Sequence, residues 1–176
     1  MTINQIEEKA ALLLKEHDLF YAPIPVKKVI KKLNVDIKPD KLGNEISGLL
    51  VIENNKAVIG YNSEESNVRQ RFTLGHEIGH FVIHCTNESR NKIFVDKIMY
   101  RKNFSSTSEK RQEMQANVFA ASLLMPKELV KKEFNKLLRG SEYITEEEIV
   151  FEMANKFKVS EIAMTYRLIN LNLMVR

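Results

Sequence analysis

Residues 69–84, RQRFTLGHEIGHFVIH, carry the pattern on which the fold of this 176-residue chain depends. Apolar side chains recur there at three- to four-residue spacing, which predicts an amphipathic helix that extends through the end of the stretch. Gly75 and Gly79 lower the intrinsic stability of such a helix, so we expect a neighbouring element to pack closely against them. His76 and His80 stand four residues apart and therefore lie on one face of the helix.

Residues 76–80, HEIGH, place two candidate metal ligands on that face. Two neutral imidazoles one helical turn apart can reach one metal ion, and they would be two of the three protein ligands of a catalytic zinc. Glu77 is too close in sequence to His76 to bind the same ion comfortably, so it suits the role of general base toward the attacking water. The alternative is a helix whose histidines are ordinary surface or core polar residues without a metal.

The third protein ligand must come from another part of the chain. A longer zinc signature, with a further histidine ten positions after the first, is excluded because position 86 is Thr86 and position 83 is Ile83 rather than glycine. The remaining type of ligand is a carboxylate on a separate helix. Glu113 opens the segment EMQANVFAASLLMP (113–126), whose small residues allow close approach of two helices. An exposed glutamate on an ordinary helix explains the same spacing equally well.

Together, the stretches 69–84 and 113–126 resemble the ImmA/IrrE family of zinc metallopeptidases. The resemblance implies an α+β, mainly helical, zincin-like metallopeptidase domain. It also implies the residues that bind Zn2+ and the residue that is catalytic: His76, His80 and Glu113 as metal ligands, and Glu77 as the catalytic residue.

This chain departs from the family pattern at one position. Relatives often carry a second acid just before the first alanine of the second motif, where this chain has Gln115, so this position is not assigned as a ligand.

Members of the family from phages and mobile elements act as anti-repressors that cut a helix-turn-helix repressor. The resemblance therefore implies a helix-turn-helix repressor protein as substrate and partner of this chain, and a role in transcription regulation.

The rest of the chain predicts an α+β architecture with helices in the majority and a small antiparallel sheet. Two apolar runs in GLLVIENNKAVIGYN (48–62) flank two asparagines, residues that tolerate the left-handed conformation of a hairpin turn. The segment NKIFVDKIMY (91–100) is a candidate for one more strand. Besides the central one, helices are expected at 2–17, 26–33, 109–124, 127–138, 145–157 and 161–171. We expect a metallopeptidase domain over 1–140, with a C-terminal helical annex over 141–176 packed on it.

Two polar residues near the motifs have both an ordinary and a functional interpretation. His84, one turn after His80, either ends the helix, where its charge suits the helix dipole, or hydrogen-bonds near the site; the first is favoured. Asn117, one turn after Glu113, either orients that carboxylate or makes a hydrogen bond of helix packing. Tyr61 and Tyr100 are candidate hydrogen-bond donors to the oxyanion that forms during hydrolysis. The ordinary interpretation is that both tyrosines pack in the core.

The C-terminal segment FEMANKFKVSEIAMTYRLINLNL (151–173) offers a second class of function. Two helices that meet at residues 158–160 look like a helix-turn-helix, in which Arg167 would have to reach base edges. The second helix is mostly apolar and has few outward basic residues, so core or partner packing is favoured over direct binding of nucleic acid. The alternative function is a non-proteolytic regulator that binds a repressor or DNA through these helices, with structural zinc.

Composition excludes several classes of protein. With 44% hydrophobic and 28% charged residues the chain can bury a core, which excludes wholesale disorder. A net charge of +4 is too small to indicate nucleic-acid binding by itself. No apolar run approaches the roughly 20 residues of a membrane span, and the acidic N-terminal stretch lacks the core of a signal peptide. Because the single cysteine, Cys85, cannot build a disulfide framework, we expect a soluble cytoplasmic protein.

Overall fold

The computed structural model describes residues 1–43, 45–54, 56–85, 91–97, 107–140 and 144–175. Within these ranges the chain forms seven helices and four strands, so the predicted α+β, mainly helical fold is confirmed. In chain order they are α1 (Ile3–Glu16), α2 (Val26–Lys32), β1 (Asp36–Asp40), β2 (Ile46–Glu53), β3 (Lys56–Asn62), α3 (Asn67–His84), β4 (Asn91–Lys97), α4 (Thr107–Leu124), α5 (Lys127–Gly140), α6 (Glu146–Phe157) and α7 (Glu161–Asn170). No helix in the described ranges combines the length and the apolar character that crossing a membrane requires.

The sheet has the strand order β1-β3-β2-β4. Strands β2 and β3 form the predicted hairpin, with Leu50 opposite Ile59, and β4 pairs antiparallel to the other edge of β2. The sheet is mixed rather than wholly antiparallel, because β1 runs parallel to β3. Strand β1 was not predicted, because its residues, DIKPD, are mostly charged and lack the usual apolar alternation. They include Pro39, which suits an edge strand.

Local capping signals account for the starts of several helices. The Thr2 hydroxyl accepts a hydrogen bond from the backbone N–H of Gln5, and the Gln5 side chain accepts one in return, which completes a capping box. Thr145 and Glu148 form the predicted capping box of α6, and α7 begins after the Ser160 cap. These bonds satisfy N–H groups that have no partner within the helix, so the helices begin where the sequence indicates.

Glycines determine how closely α3 lies to its neighbours, as expected from their place in the pattern. A Cβ atom added at Gly79 would lie 3.0 Å from Cα of Ala116 and 3.1 Å from its carbonyl oxygen. A Cβ atom at Gly48 of β2 would clash with the Cγ2 methyl of Thr73 on α3. Helix α3 is therefore held between the sheet and α4, and its central residues are buried.

Candidate metal centre

Two side chains of α3 and one of α4 converge on a single point. The Nε2 atoms of His76 and His80 are 3.0 Å apart. Glu113 places Oε2 3.1 Å from Nε2 of His76 and Oε1 3.1 Å from Nε2 of His80. Both histidines are buried, and 26% of the Glu113 side chain is exposed. The structure therefore brings together all three side chains that were named as ligands, although Glu113 lies about thirty residues after His80 in the sequence.

The spacing of these atoms fits a metal ion. Zinc binds nitrogen and oxygen at about 2.0–2.2 Å, and at tetrahedral angles such ligands stand roughly 3.4 Å from one another. The observed separations of 3.0 and 3.1 Å are a few tenths of an ångström shorter. Two imidazoles and one carboxylate could hold a metal ion and would leave the fourth tetrahedral position open.

Hydrogen bonds at the outer ring nitrogens orient both histidines. Nδ1 of His76 lies 3.1 Å from Oδ1 of Asn117, so Asn117 contacts a candidate ligand histidine rather than Glu113. Nδ1 of His80 lies 3.2 Å from Nδ1 of His84. His84 is the last residue of α3, as expected, and it also reaches the site, which was the less favoured interpretation.

Glu77 occupies the side of α3 that faces the sheet. Its side chain has no exposed surface. A Cβ atom at Gly48 would lie 3.2 Å from Oε1 of Glu77, so the missing side chain at this position of β2 leaves room for the carboxylate. Glu77 is thus held inside the protein, next in sequence to His76.

An aromatic ring of β4 covers one of the imidazoles. Phe94 stacks on His80 with 4.6 Å between ring centroids and 28° between the planes. Nothing in the sequence marked Phe94 as part of the site beyond its place in the candidate strand. Its position follows from the pairing of β4 with β2, which brings Phe94 opposite Leu50.

The electrostatics of the site favour an ionised Glu113. Burial raises the pKa of its carboxyl group, but hydrogen bonds and charge from His76 and His80 outweigh burial and lower the pKa to about 2. Burial lowers the pKa of His84, against the opposing effect of its hydrogen bond with Gln115. Glu113 is therefore an anion at neutral pH, the state that a metal ligand requires.

Tyr61 and Arg167, two other candidate residues, make their hydrogen bonds with other partners. Tyr61 is buried, and its hydroxyl accepts a hydrogen bond from Lys27. Tyr100 lies outside the described residues. Arg167 is buried, donates to the carbonyl oxygen of Met125 and pairs with Glu7. The arginine that a DNA-reading helix would need is thus engaged in the interior of the protein.

Comparison with known proteins agrees with the resemblance seen in the two motifs. A Mycobacterium tuberculosis transcriptional regulator has a similar fold, with a TM-score of 0.61 over 94% of this chain. That likeness shows the fold alone, because the identity is 11%, and this chain spans about half of the other protein, 46% of its length. No curated protein matches the sequence. The Peptidase_M78 family model, described as the IrrE N-terminal-like domain, matches residues 30–169. Since this match covers most of the chain, the protein belongs to the Peptidase_M78 family, a family of metallopeptidases.

Proposed function

We propose that the chain is a zinc-dependent endopeptidase that hydrolyses a peptide bond in a specific helix-turn-helix repressor. The observation that carries the proposal is the convergence of His76, His80 and Glu113 in a member of a metallopeptidase family. Three protein ligands are typical of catalytic zinc sites, whereas structural zinc sites have four. The donor set therefore supports a site that keeps one position for water or substrate.

In this proposal three residues bind the metal ion and a fourth residue transfers protons. His76, His80 and Glu113 would hold the ion, which when bound supplies Lewis acidity and lowers the pKa of a coordinated water to about 7. Glu77 acts as general base: it accepts a proton from the attacking water and delivers it to the leaving amine. Its complete burial against β2 supports this role, because proton exchange with bulk water is then restricted.

The proposed substrate is a protein that regulates transcription. The resemblance of the two motifs to the ImmA/IrrE family implies a helix-turn-helix repressor. We place repressor docking on the annex (141–176), packed on the metallopeptidase domain (1–140). Ile162 and Tyr166 of α7 are 72% and 62% exposed, and such apolar surface is typical of protein contacts.

A cleavage assay with four variants tests the proposal. Zinc-loaded protein is incubated with any helix-turn-helix repressor whose gene lies beside its own, and products are identified by mass spectrometry. Glu77→Gln is expected to retain zinc and to lower the cleavage rate by at least about 100-fold, because the general base is lost. His80→Ala and Glu113→Ala are expected to lose both zinc and cleavage.

Glu8→Gln serves as the matched control, because Glu8 is exposed on α1, away from the site. It is expected to cleave at the wild-type rate. Cleavage by Glu77→Gln at the wild-type rate would overturn the proposed mechanism. Metal analysis of the purified wild-type protein identifies the bound ion independently of any substrate.

The exposed side chains of α7 also favour a second candidate, a non-proteolytic regulator that binds a repressor or DNA, with structural zinc. Repressor inactivation that survives Glu77→Gln would support this function over proteolysis. A gel-shift experiment with operator DNA distinguishes a regulator that binds DNA from one that binds a repressor protein. The burial of Arg167 favours a protein partner over DNA, since this is the basic residue of α7.

A further inference from the structure

A series of hydrogen bonds connects the metal-facing ring of His80 to a buried amide on α4. Gln115 donates from Nε2 to the carbonyl oxygen of Met1 at 3.1 Å, which orients the amide. Its Oε1 atom then lies 3.1 Å from Nε2 of His84. Nδ1 of His84 lies 3.2 Å from Nδ1 of His80. Gln115 is 8% exposed and His80 is buried, whereas His84 between them is half-buried.

The direction of each hydrogen bond follows from the amide oxygen of Gln115. An amide oxygen only accepts, so Nε2 of His84 must carry the proton and donate. Neutral His84 then presents a lone pair at Nδ1, which accepts a hydrogen bond from the Nδ1–H group of His80. The Nε2 atom of His80 faces His76 and Glu113. Once an ion displaces the hydrogen bond between this atom and the carboxylate of Glu113, His80 with its proton on Nδ1 keeps a lone pair on Nε2 for the ion.

We propose that Gln115, acting through His84, is a positioning residue that holds His80 in the tautomer able to bind the metal. This inference rests on the metal ligands of the proposed function. In the other tautomer Nε2 of His80 carries a proton and cannot coordinate an ion. Partners of the outer nitrogen of a ligand histidine typically change metal affinity by about 10- to 100-fold.

Helix α4 thus provides three kinds of support to the site within five residues. Glu113 reaches the metal position itself, and Gln115 acts on His80 through His84. Asn117 accepts a hydrogen bond from Nδ1 of His76, so the second histidine is oriented from the same helix. The close packing of α3 on α4 is what brings these groups within reach.

Substitutions at Gln115 separate this role from simple structural support. Gln115→Leu removes the acceptor for His84 and the donor to Met1, whereas Gln115→Glu retains an acceptor and removes only the donor. Zinc affinity is measured at pH 8 by competition with a chromophoric chelator. Gln115→Leu is expected to weaken zinc binding about tenfold, whereas Gln115→Glu is expected to retain wild-type affinity.

Gln70→Leu is the matched control. Gln70 lies on α3, and its amide donates to the carbonyl oxygens of Ser63 and Glu65, away from the histidines. It is expected to leave zinc affinity unchanged. Equal losses in Gln115→Leu and Gln115→Glu would mean that only the bond to Met1 matters and would overturn the inference, as would unchanged affinity in Gln115→Leu.

The tautomer itself can be observed without any substitution. Long-range 1H–15N correlation spectra of the zinc-loaded wild-type protein report which ring nitrogen carries the proton. The inference requires a proton on Nε2 of His84, and a proton on Nδ1 instead would overturn it. Neither readout depends on peptide cleavage. A protein with the expected tautomers but no peptidase activity would contradict the proposed function and leave this inference standing.

Discussion

Each histidine of the candidate metal centre depends on a neighbour that does not face the metal position. His76 is oriented by Asn117 and His80 by His84. Glu113 is kept ionised by the two histidines themselves. Because the outer hydrogen bonds already orient the donor atoms, little reorganisation is needed when a metal binds.

Glu113 makes the stability of the metal-free protein sensitive to acid. Its pKa is about 2 in the folded protein, against an ordinary value of 4.5, so ionisation of this group favours folding. The stabilisation is present above about pH 4.5 and is lost as the pH falls toward about 2. Thermal unfolding midpoints of chelator-treated wild type and Glu113→Gln measure it. The advantage of the wild type is expected to shrink across this range, and a constant difference would contradict the assignment.

At the scale of elements, the site depends on how closely α3 approaches α4. Gly75 and Gly79 both face α4, but their surroundings differ. A Cβ atom at Gly75 would meet Cβ of Ala120 at 3.4 Å, an ordinary contact. A Cβ atom at Gly79 would meet backbone atoms of Ala116 at 3.0 and 3.1 Å, and these cannot move without shifting the helix.

The two glycines are therefore expected to respond oppositely to alanine. Gly75→Ala should raise the free energy of unfolding by about 0.5–1 kcal/mol, because alanine favours the helix. Gly79→Ala should lower it by about 1–2 kcal/mol, since overpacking outweighs the same helix preference. It should also weaken zinc binding, because His80 moves away from Glu113. Urea denaturation and chelator competition measure the two effects, and equal behaviour of both variants would contradict the packing argument.

At the scale of the whole molecule, two arginines connect the C-terminal helices to the preceding part of the chain. Arg167 of α7 donates to the carbonyl oxygen of Met125 at 2.9 Å and pairs with Glu7 of α1. Arg71 of α3 donates to the carbonyl oxygens of Phe157 and Lys158 at the end of α6. These contacts join residues on both sides of the boundary placed between 140 and 141, which stays a prediction.

The two arginines are expected to contribute unequally. Arg167→Leu leaves the carboxylate of Glu7 without its buried partner and should lower the free energy of unfolding by about 3 kcal/mol. Arg71→Leu, the comparison variant, removes hydrogen bonds at a more exposed position and should cost about 1 kcal/mol. Urea denaturation followed by circular dichroism measures both. A loss in Arg167→Leu no larger than in Arg71→Leu would show that the buried ion pair does not hold the C-terminal helices in place.

Features that arise within one helical turn were predictable from the residues alone. The spacing of His76 and His80 placed both rings on one face, and local caps such as Thr145 marked helix ends, because helical periodicity and capping bonds act over three or four residues. The family motif added Glu113 as a ligand. Its distance from the histidines, however, is a property of helix packing.

Contacts between distant segments needed the folded chain. The parallel pairing of β1 with β3, the stacking of Phe94 on His80, and the bond between His84 and Gln115, 31 residues apart, have no local periodic signal. They arise because the hairpin, α3 and α4 bury their apolar faces against one another, and many sequences satisfy that burial equally well. Spacing therefore indicated which side chains can hold a metal, and packing decided which groups orient them.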